Sequence, residues 1–256
     1  MVSKSNVLKT LIIIPIVFFR KSNLLLAGNG TDMPIAELFL QNMFSGNPSR
    51  TETNIVIVMF GLMEVIVFNL LFGTYIYHDL YENSIYIFIR QKSRIKWFIN
   101  RSFQLFAYSA VYNILFILST FLLCVVYSNQ EIDIVAIRVV IITYILIQLF
   151  SFWTTLMINL LAIRIGATAS FITNYMTLLV LSFLAVNYEA IPIIKNIPFF
   201  LSLNPVTNVT INWNDGIGKG LYPAVYFLIL IGTTMLLGGK ILSKMDISLE
   251  NKEKNN

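Results

Sequence analysis

Glu64 is the only charge in the apolar run 54–77, where it sits near the middle. Holding a carboxylate inside a hydrocarbon-spanning helix is costly, so such a group marks a contact for a cationic substrate or a proton carrier. The competing expectation is that a span-embedded Tyr or Asn neutralises it, or that it is protonated, and that it only fixes helix packing. Elsewhere the sequence offers little chemistry. One histidine, His78, and one cysteine, Cys124, rule out a His/Cys metal cluster or a disulfide within one chain. Asp79 and Glu82 have only His78 beside them and no nucleophile arrangement. The stretch GIGKG at 216–220 lacks both the GxxxxGK[ST] spacing of a phosphate loop and a preceding strand. The chain is therefore expected to be no enzyme, to bind no cofactor of its own and to hold no metal. Asn29-Gly30-Thr31 and Asn208-Val209-Thr210 match the short glycosylation sequon, a pattern too common to weigh.

The elements that would position Glu64 are set by composition. Apolar residues make up 57% of the 256 residues and charged ones 12%, with a mean hydropathy of +0.74. Soluble domains run at about 45–50% and about 25%. This predicts an all-α, polytopic integral membrane protein, because runs of about 20 apolar residues match a hydrocarbon layer about 30 Å thick. Six transmembrane helices are expected, over 7–27, 54–77, 102–127, 134–161, 168–186 and 221–242, all in one permease domain, 1–256. The first is the poorest, since Arg20 and Lys21 interrupt it, and an interfacial helix is its alternative. Loops are placed at 28–53, 78–101, 128–133 and 187–220, with a short amphipathic piece, IAELFLQNMF, in the first. The stretch 187–220 carries three prolines and is predicted to form short broken or re-entrant helices. Asn69, Asn113, Gln148, Asn159 and Asn174 fall within spans and are expected to make interhelical hydrogen bonds.

The segment 77–101 is the most polar patterned stretch, with Arg90, Lys92, Arg94, Lys96 and Arg101 among the chain's 18 basic residues. Ile85, Ile87, Ile89, Ile95, Trp97 and Phe98 interleave with those charges, which predicts a short amphipathic helix or helix pair at the membrane surface. Lys and Arg also set the sidedness. With the N-terminus inside, the cytoplasmic pieces carry twelve basic residues and the outer ones four, namely Arg50, Arg138, Lys195 and Lys219. Both termini and the segment 78–101 are thus expected in the cytoplasm, and 187–220 outside. Sidedness accounts for the net charge of +5, so nucleic acid is not needed as a partner.

Glu82, Asn83-Ser84, Ser93-Arg94 and Arg101 stand in the order and sidedness of a known cytoplasmic loop. That loop resembles the one of type-2 ABC exporter permeases, in which a Glu and a small polar pair close the second span. In that family a Ser-Arg pair follows about ten residues later and a basic residue opens the third span. A second resemblance lies in PFFLSLNPVTNVT at 198–210, where apolar residues run into Asn204-Pro205 before the last span. The two stretches cover about 40 residues of a six-span layout that takes in the chain. Asn83-Ser84 replaces the family's usual Gly-Thr, and Gln91-Lys92 stands where a Pro commonly precedes the Ser-Arg pair.

The resemblance implies the permease subunit of an ATP-driven exporter in a bacterial cytoplasmic membrane. Such a subunit pairs with a second permease subunit, as a homodimer or heterodimer. Its cytoplasmic loop docks on a separate ATPase subunit that carries ATP and Mg. Glu82, Asn83, Ser84, Ser93, Arg94, Trp97 and Arg101 would dock, Glu64 would face the pathway, and Asn204 and Pro205 would form an outer gate. The small size, the Ile/Asn/Lys-rich composition and the lack of a large outer domain resemble permeases encoded with peptide-antibiotic systems, making an antimicrobial peptide or other amphipathic compound the expected substrate. Two readings compete: a secondary carrier using Glu64, against which the absence of visible internal repeats weighs, and a non-transporting immunity or scaffold protein.

Overall fold

A computed structural model describes residues 32–43, 54–90, 93–197, 199–210 and 221–244, and for 83–90 the backbone alone. The expected first span, 7–27, lies outside the described residues, as do 211–220 and the C-terminal tail. The described chain is helical throughout and contains no strand.

In order the helices are α1 (Ile35–Met43), α2 (Ile55–Gly61), α3 (Met63–Phe72), α4 (Tyr75–Arg90), α5 (Arg94–Tyr127), α6 (Ile134–Ile165) and α7 (Ala167–Val186), then three short ones, α8 (Pro192–Lys195), α9 (Phe200–Leu203) and α10 (Pro205–Val209), and finally α11 (Leu221–Lys244). Four of them, α5, α6, α7 and α11, are long and apolar enough to cross a membrane, and α2 with Met63–Glu82 makes a fifth if that bent pair counts as one span. Length and composition thus identify a membrane protein.

α6 is the axis of the bundle. It packs against α1, α3, α4, α5, α7, α10 and α11. Leu146 to Phe152 are buried without interruption, as expected of a helix that is apolar all round and enclosed by others. Its start is fixed by Asp133, whose carboxylate accepts from Ala136 N at 2.7 Å. Its end is Gly166, at φ 85° and ψ 161°, a conformation open to glycine and costly for other residues. That one residue turns the chain directly into α7.

α5 starts at Arg94 rather than at 102, where the expected span began. Its 34 residues make a rod of about 51 Å, well beyond a hydrocarbon layer of about 30 Å. The surplus falls in the polar first turns, so a solid helical extension replaces part of the expected surface loop. Ser93 caps it, its Oγ accepting from Lys96 N at 3.3 Å.

The run 54–77 is not one straight helix. It bends by 54° at Leu62 and loosens again at Gly73-Thr74. No proline is involved; instead Gly61 precedes the bend, and two tyrosine hydroxyls attach to the carbonyls that follow it. Tyr112 Oη donates to Glu64 O at 3.1 Å and Tyr175 Oη to Ile66 O at 3.2 Å.

The amphipathic piece of the first loop forms α1, which buries Ile35, Leu38, Phe39 and Met43 on one stripe against α5 and α6. Ser128 Oγ donates to Met33 O, placing α1 at the α5–α6 turn. The opposite end of the bundle gathers Arg94, Arg164, Lys240 and Lys244, as shown by Arg94 Nη1 donating to Leu242 O at 3.4 Å and by a groove shared by the other three.

Candidate functional site

At this basic end, α4 and α5 run antiparallel. The pairings fix the register: Tyr75 meets Arg101 and Gln104, whereas Asp79, one turn further along α4, meets Arg101 and Trp97, one turn back along α5. The two residues that link the helices, 91–92, are outside the described residues.

Asp79 is the hub of the pair. Arg101 Nε lies 2.7 Å from Asp79 Oδ2 and Arg101 Nη2 donates to Oδ1 at 3.0 Å, a two-pronged contact that fixes orientation as well as distance. Trp97 Nε1 donates to Oδ2 at 3.1 Å. On its other side Arg101 Nη1 donates to Gln104 Oε1 at 2.7 Å, and Tyr75 Oη donates to the same oxygen at 2.9 Å. Trp97, Arg101 and Gln104 follow one another at spacings of four and three, so they share one helix face.

Not all the loop residues singled out in the sequence join this cluster. Trp97 is 2% exposed and its ring is packed in the bundle, whereas Glu82 is exposed, its carboxylate 3.8 Å from His78 Nδ1. Ser93 is a helix cap, and Arg94 reaches across to the end of α11. The side chains of Asn83 and Ser84 lie outside the described residues. Asp79, Tyr75 and Gln104 were missed as partners in the sequence, because only the antiparallel register brings Asp79 within reach of a residue 22 positions later.

Glu64 lies in the first turn of α3, directly after the bend, and is 2% exposed. A carboxylate is favoured there by the unpaired N–H groups and dipole of a helix start. It is distant in sequence and in helix position from the Asp79 cluster.

Asn159, on α6, repairs the loosened backbone at Gly73-Thr74. Its Nδ2 donates to Phe72 O at 3.1 Å while its Oδ1 accepts from Ile76 N at 2.7 Å. Asn69 meets the hydroxyls of Thr154 and Thr155 a turn away, and Asn113 Nδ2 donates to Gln148 Oε1 at 2.8 Å. These are the interhelical hydrogen bonds expected of polar residues in spans.

Asn204 and Pro205 start α10 in a buried knot. Asn204 Oδ1 accepts from Val206 N at 2.9 Å, its Nδ2 donates to Leu181 O at 2.8 Å, and Pro205 occupies the first turn where no N–H is needed. Thr207 Oγ1 donates to Leu201 O and Asn208 Nδ2 to Ser202 O. Asn208 is fully buried, so that sequon is closed to modification in this fold. The three short helices α8, α9 and α10 match the broken-helix expectation for this stretch, although its continuation at 211–220 is outside the described residues.

Among the described residues no group of three His, Cys, Asp or Glu side chains is placed to hold a metal ion. The chain matches no family model, no curated protein and no solved structure.

Proposed function

We propose that this chain is the permease subunit of an ATP-driven ABC exporter in a bacterial cytoplasmic membrane. In this reading it has six spans, including 7–27, and both termini in the cytoplasm. It works with a second permease subunit and with a separate ATPase that holds ATP and Mg. The observation that carries the reading is the α4–α5 hairpin joined by Asp79, Arg101 and Trp97. A partner pressing on the tip of the hairpin moves both arms together, because the ion pair and the buried indole join them at the base. α4 continues from α3, and α5 is one unbroken rod, so displacement passes directly into two spans. Glu82, Ser93 and Arg94 supply polar surface near the tip, Trp97 and Arg101 the rigid base, and Asn204 and Pro205 the outer closure, while Asn83 and Ser84 count as docking residues by their place in the sequence. An amphipathic compound such as an antimicrobial peptide is the substrate.

The test is capture of the tagged protein in mild detergent, with mass spectrometry of what accompanies it. The wild type is compared with Glu82→Lys combined with Lys96→Glu, two exposed positions whose change leaves the Asp79 cluster intact. An ATPase carrying a phosphate loop comes with the wild type and is lost from the folded variant. Absence of any such ATPase from the wild type overturns the reading.

The bend at Leu62 favours a second reading. Discontinuous helices near mid-membrane commonly build the ion sites of secondary carriers, and Glu64 is buried beside this one. Transport that proceeds without an ATPase and collapses in Glu64→Gln would support the carrier. Protection by the wild type without any movement of substrate would instead support a non-transporting immunity protein.

A further inference from the structure

A cavity of about 470 Å³ lies between α6 and α11 at the basic end, and neither the hairpin nor Glu64 uses it. Its two walls have the same pattern. α6 contributes Met157, Leu160, Leu161 and Arg164, and α11 contributes Thr234, Leu237, Lys240, Ile241 and Lys244. On each helix the lining residues recur at three- and four-residue spacing, so each wall is a single stripe, apolar along its length and cationic at its C-terminal end. From Met157 to Arg164 the apolar floor runs for about 10 Å at the helical rise.

The three cations are exposed, and no acidic side chain among the described residues pairs with any of them. Complementing the helix dipoles accounts for one cation in each last turn, Arg164 and Lys244. It leaves Lys240 unexplained, a turn earlier on the same stripe, and does not require an apolar channel beneath. Leu237 is 58% exposed at the mouth of that channel, so the groove is open toward the surrounding lipid.

We propose that this groove is a binding site for one anionic phospholipid. Its phosphate group is held by Arg164, Lys240 and Lys244, and the upper part of one acyl chain lies along Met157, Leu160, Leu161, Leu237 and Ile241. The charge favours an acidic headgroup over a zwitterionic one, as is general for basic pockets between spans at a membrane surface. The apolar floor favours a lipid over a free phosphate. The proposal stands on the membrane placement of α6 and α11 alone and is independent of the exporter reading.

The test uses full-length protein, delipidated in neutral detergent and titrated with phosphatidylglycerol, with phosphatidylcholine of the same acyl chains, or with inorganic phosphate. Native mass spectrometry counts bound lipid, and thermal unfolding reports stabilisation. One phosphatidylglycerol is expected to bind roughly tenfold more tightly than phosphatidylcholine, with no stabilisation by phosphate. The variant Arg164→Gln, Lys240→Gln, Lys244→Gln is expected to lose that preference. Leu237→Trp keeps all three cations but fills the groove from an exposed position, and it is expected to weaken phosphatidylglycerol binding while the protein unfolds at its usual temperature. Equal binding of the two lipids by the wild type, an unchanged preference in the triple variant, undiminished phosphatidylglycerol binding by Leu237→Trp, or equal stabilisation by inorganic phosphate would overturn the proposal.

Discussion

Asp79 and Arg101 form a two-pronged ion pair that closes the base of the α4–α5 hairpin, with Nε 2.7 Å from Oδ2 and Nη2 3.0 Å from Oδ1. Their side chains keep 15% and 29% of their exposure, so the pair is neither a solvated surface contact nor fully desolvated. Its coupling therefore falls between the ~1 kcal/mol ceiling of exposed pairs and the ~3–5 kcal/mol cost of breaking a buried one. A double-mutant cycle with Asp79→Asn and Arg101→Gln is expected to return about 2 kcal/mol from unfolding in detergent. Asp79→Asn also changes the acceptor of the Trp97 indole. The emission of Trp97, isolated by replacing Trp153 and Trp213 with Phe, is expected to shift in that variant. An additive cycle with no spectral change would show that the hairpin is held by its apolar contacts alone.

Much of this fold was legible because lipid writes its thickness into the sequence. The expected spans 102–127, 134–161, 168–186 and 221–242 fall inside α5, α6, α7 and α11, which run on beyond them by eight, four, one and two residues. Arg94 to Arg101 are helical although half of them are polar, since Ser93 caps the start and Trp97 and Phe98 pack into the bundle. The bend at Leu62 was hidden. It has no proline, and its stabilising hydroxyls come from Tyr112 and Tyr175, 48 and 109 residues beyond the Glu64 and Ile66 carbonyls that they meet. The Asp79 cluster was hidden for the same reason, because pairing across a hairpin depends on register, which periodicity within each helix does not contain.

Asn159 bridges a loosened backbone, and its amide suits that task in both directions. The Oδ1 takes the Ile76 N–H and the Nδ2 serves the Phe72 carbonyl. Asn159→Leu would bury both groups without partners, at about 1–3 kcal/mol for each group left unsatisfied. Protonated, Asn159→Asp keeps an acceptor for Ile76 N and a single O–H donor for Phe72 O, so it is expected to cost less than Leu. Thermal unfolding in detergent should rank wild type above Asp and Asp above Leu. Equal stability of wild type and Leu would mean that other groups satisfy the break.

Gly238 and Gly232 share α11 but should respond to alanine with opposite signs. A Cβ on Gly238 would lie 2.5 Å from the Phe98 ring and 2.9 Å from Leu160 Cδ2, whereas one on Gly232 would meet nothing within 4 Å. Gly232→Ala is expected to stabilise by roughly 0.5–1 kcal/mol through helix propensity. Gly238→Ala gains the same propensity but forces Phe98 and Leu160 apart, a strain of about 1–3 kcal/mol, so it should destabilise. Unfolding midpoints of the two single variants, measured in the same detergent, decide this. A stabilising Gly238→Ala would show that Phe98 can repack.

Glu64 separates the exporter from the carrier. In the exporter reading ATP hydrolysis on a partner drives transport, and Glu64 is a buried polar group at the start of α3, beside a bend set by Tyr112 and Tyr175. Glu64→Gln keeps its shape and hydrogen-bonding capacity, so ATP-dependent transport should stay within roughly threefold of wild type, about 0.7 kcal/mol in the barrier. Glu64→Leu removes the polar group entirely and tests packing alone. A proton-coupled carrier behaves differently: Gln cannot exchange a proton at any pH, so uptake driven by a pH gradient would vanish while substrate binding persisted. Proteoliposomes containing this protein and an ATPase captured with it, driven in turn by ATP and by an imposed pH gradient, measure both. Retention of ATP-driven transport in Glu64→Gln supports a packing role for the carboxylate, and its loss would place Glu64 in the transport path.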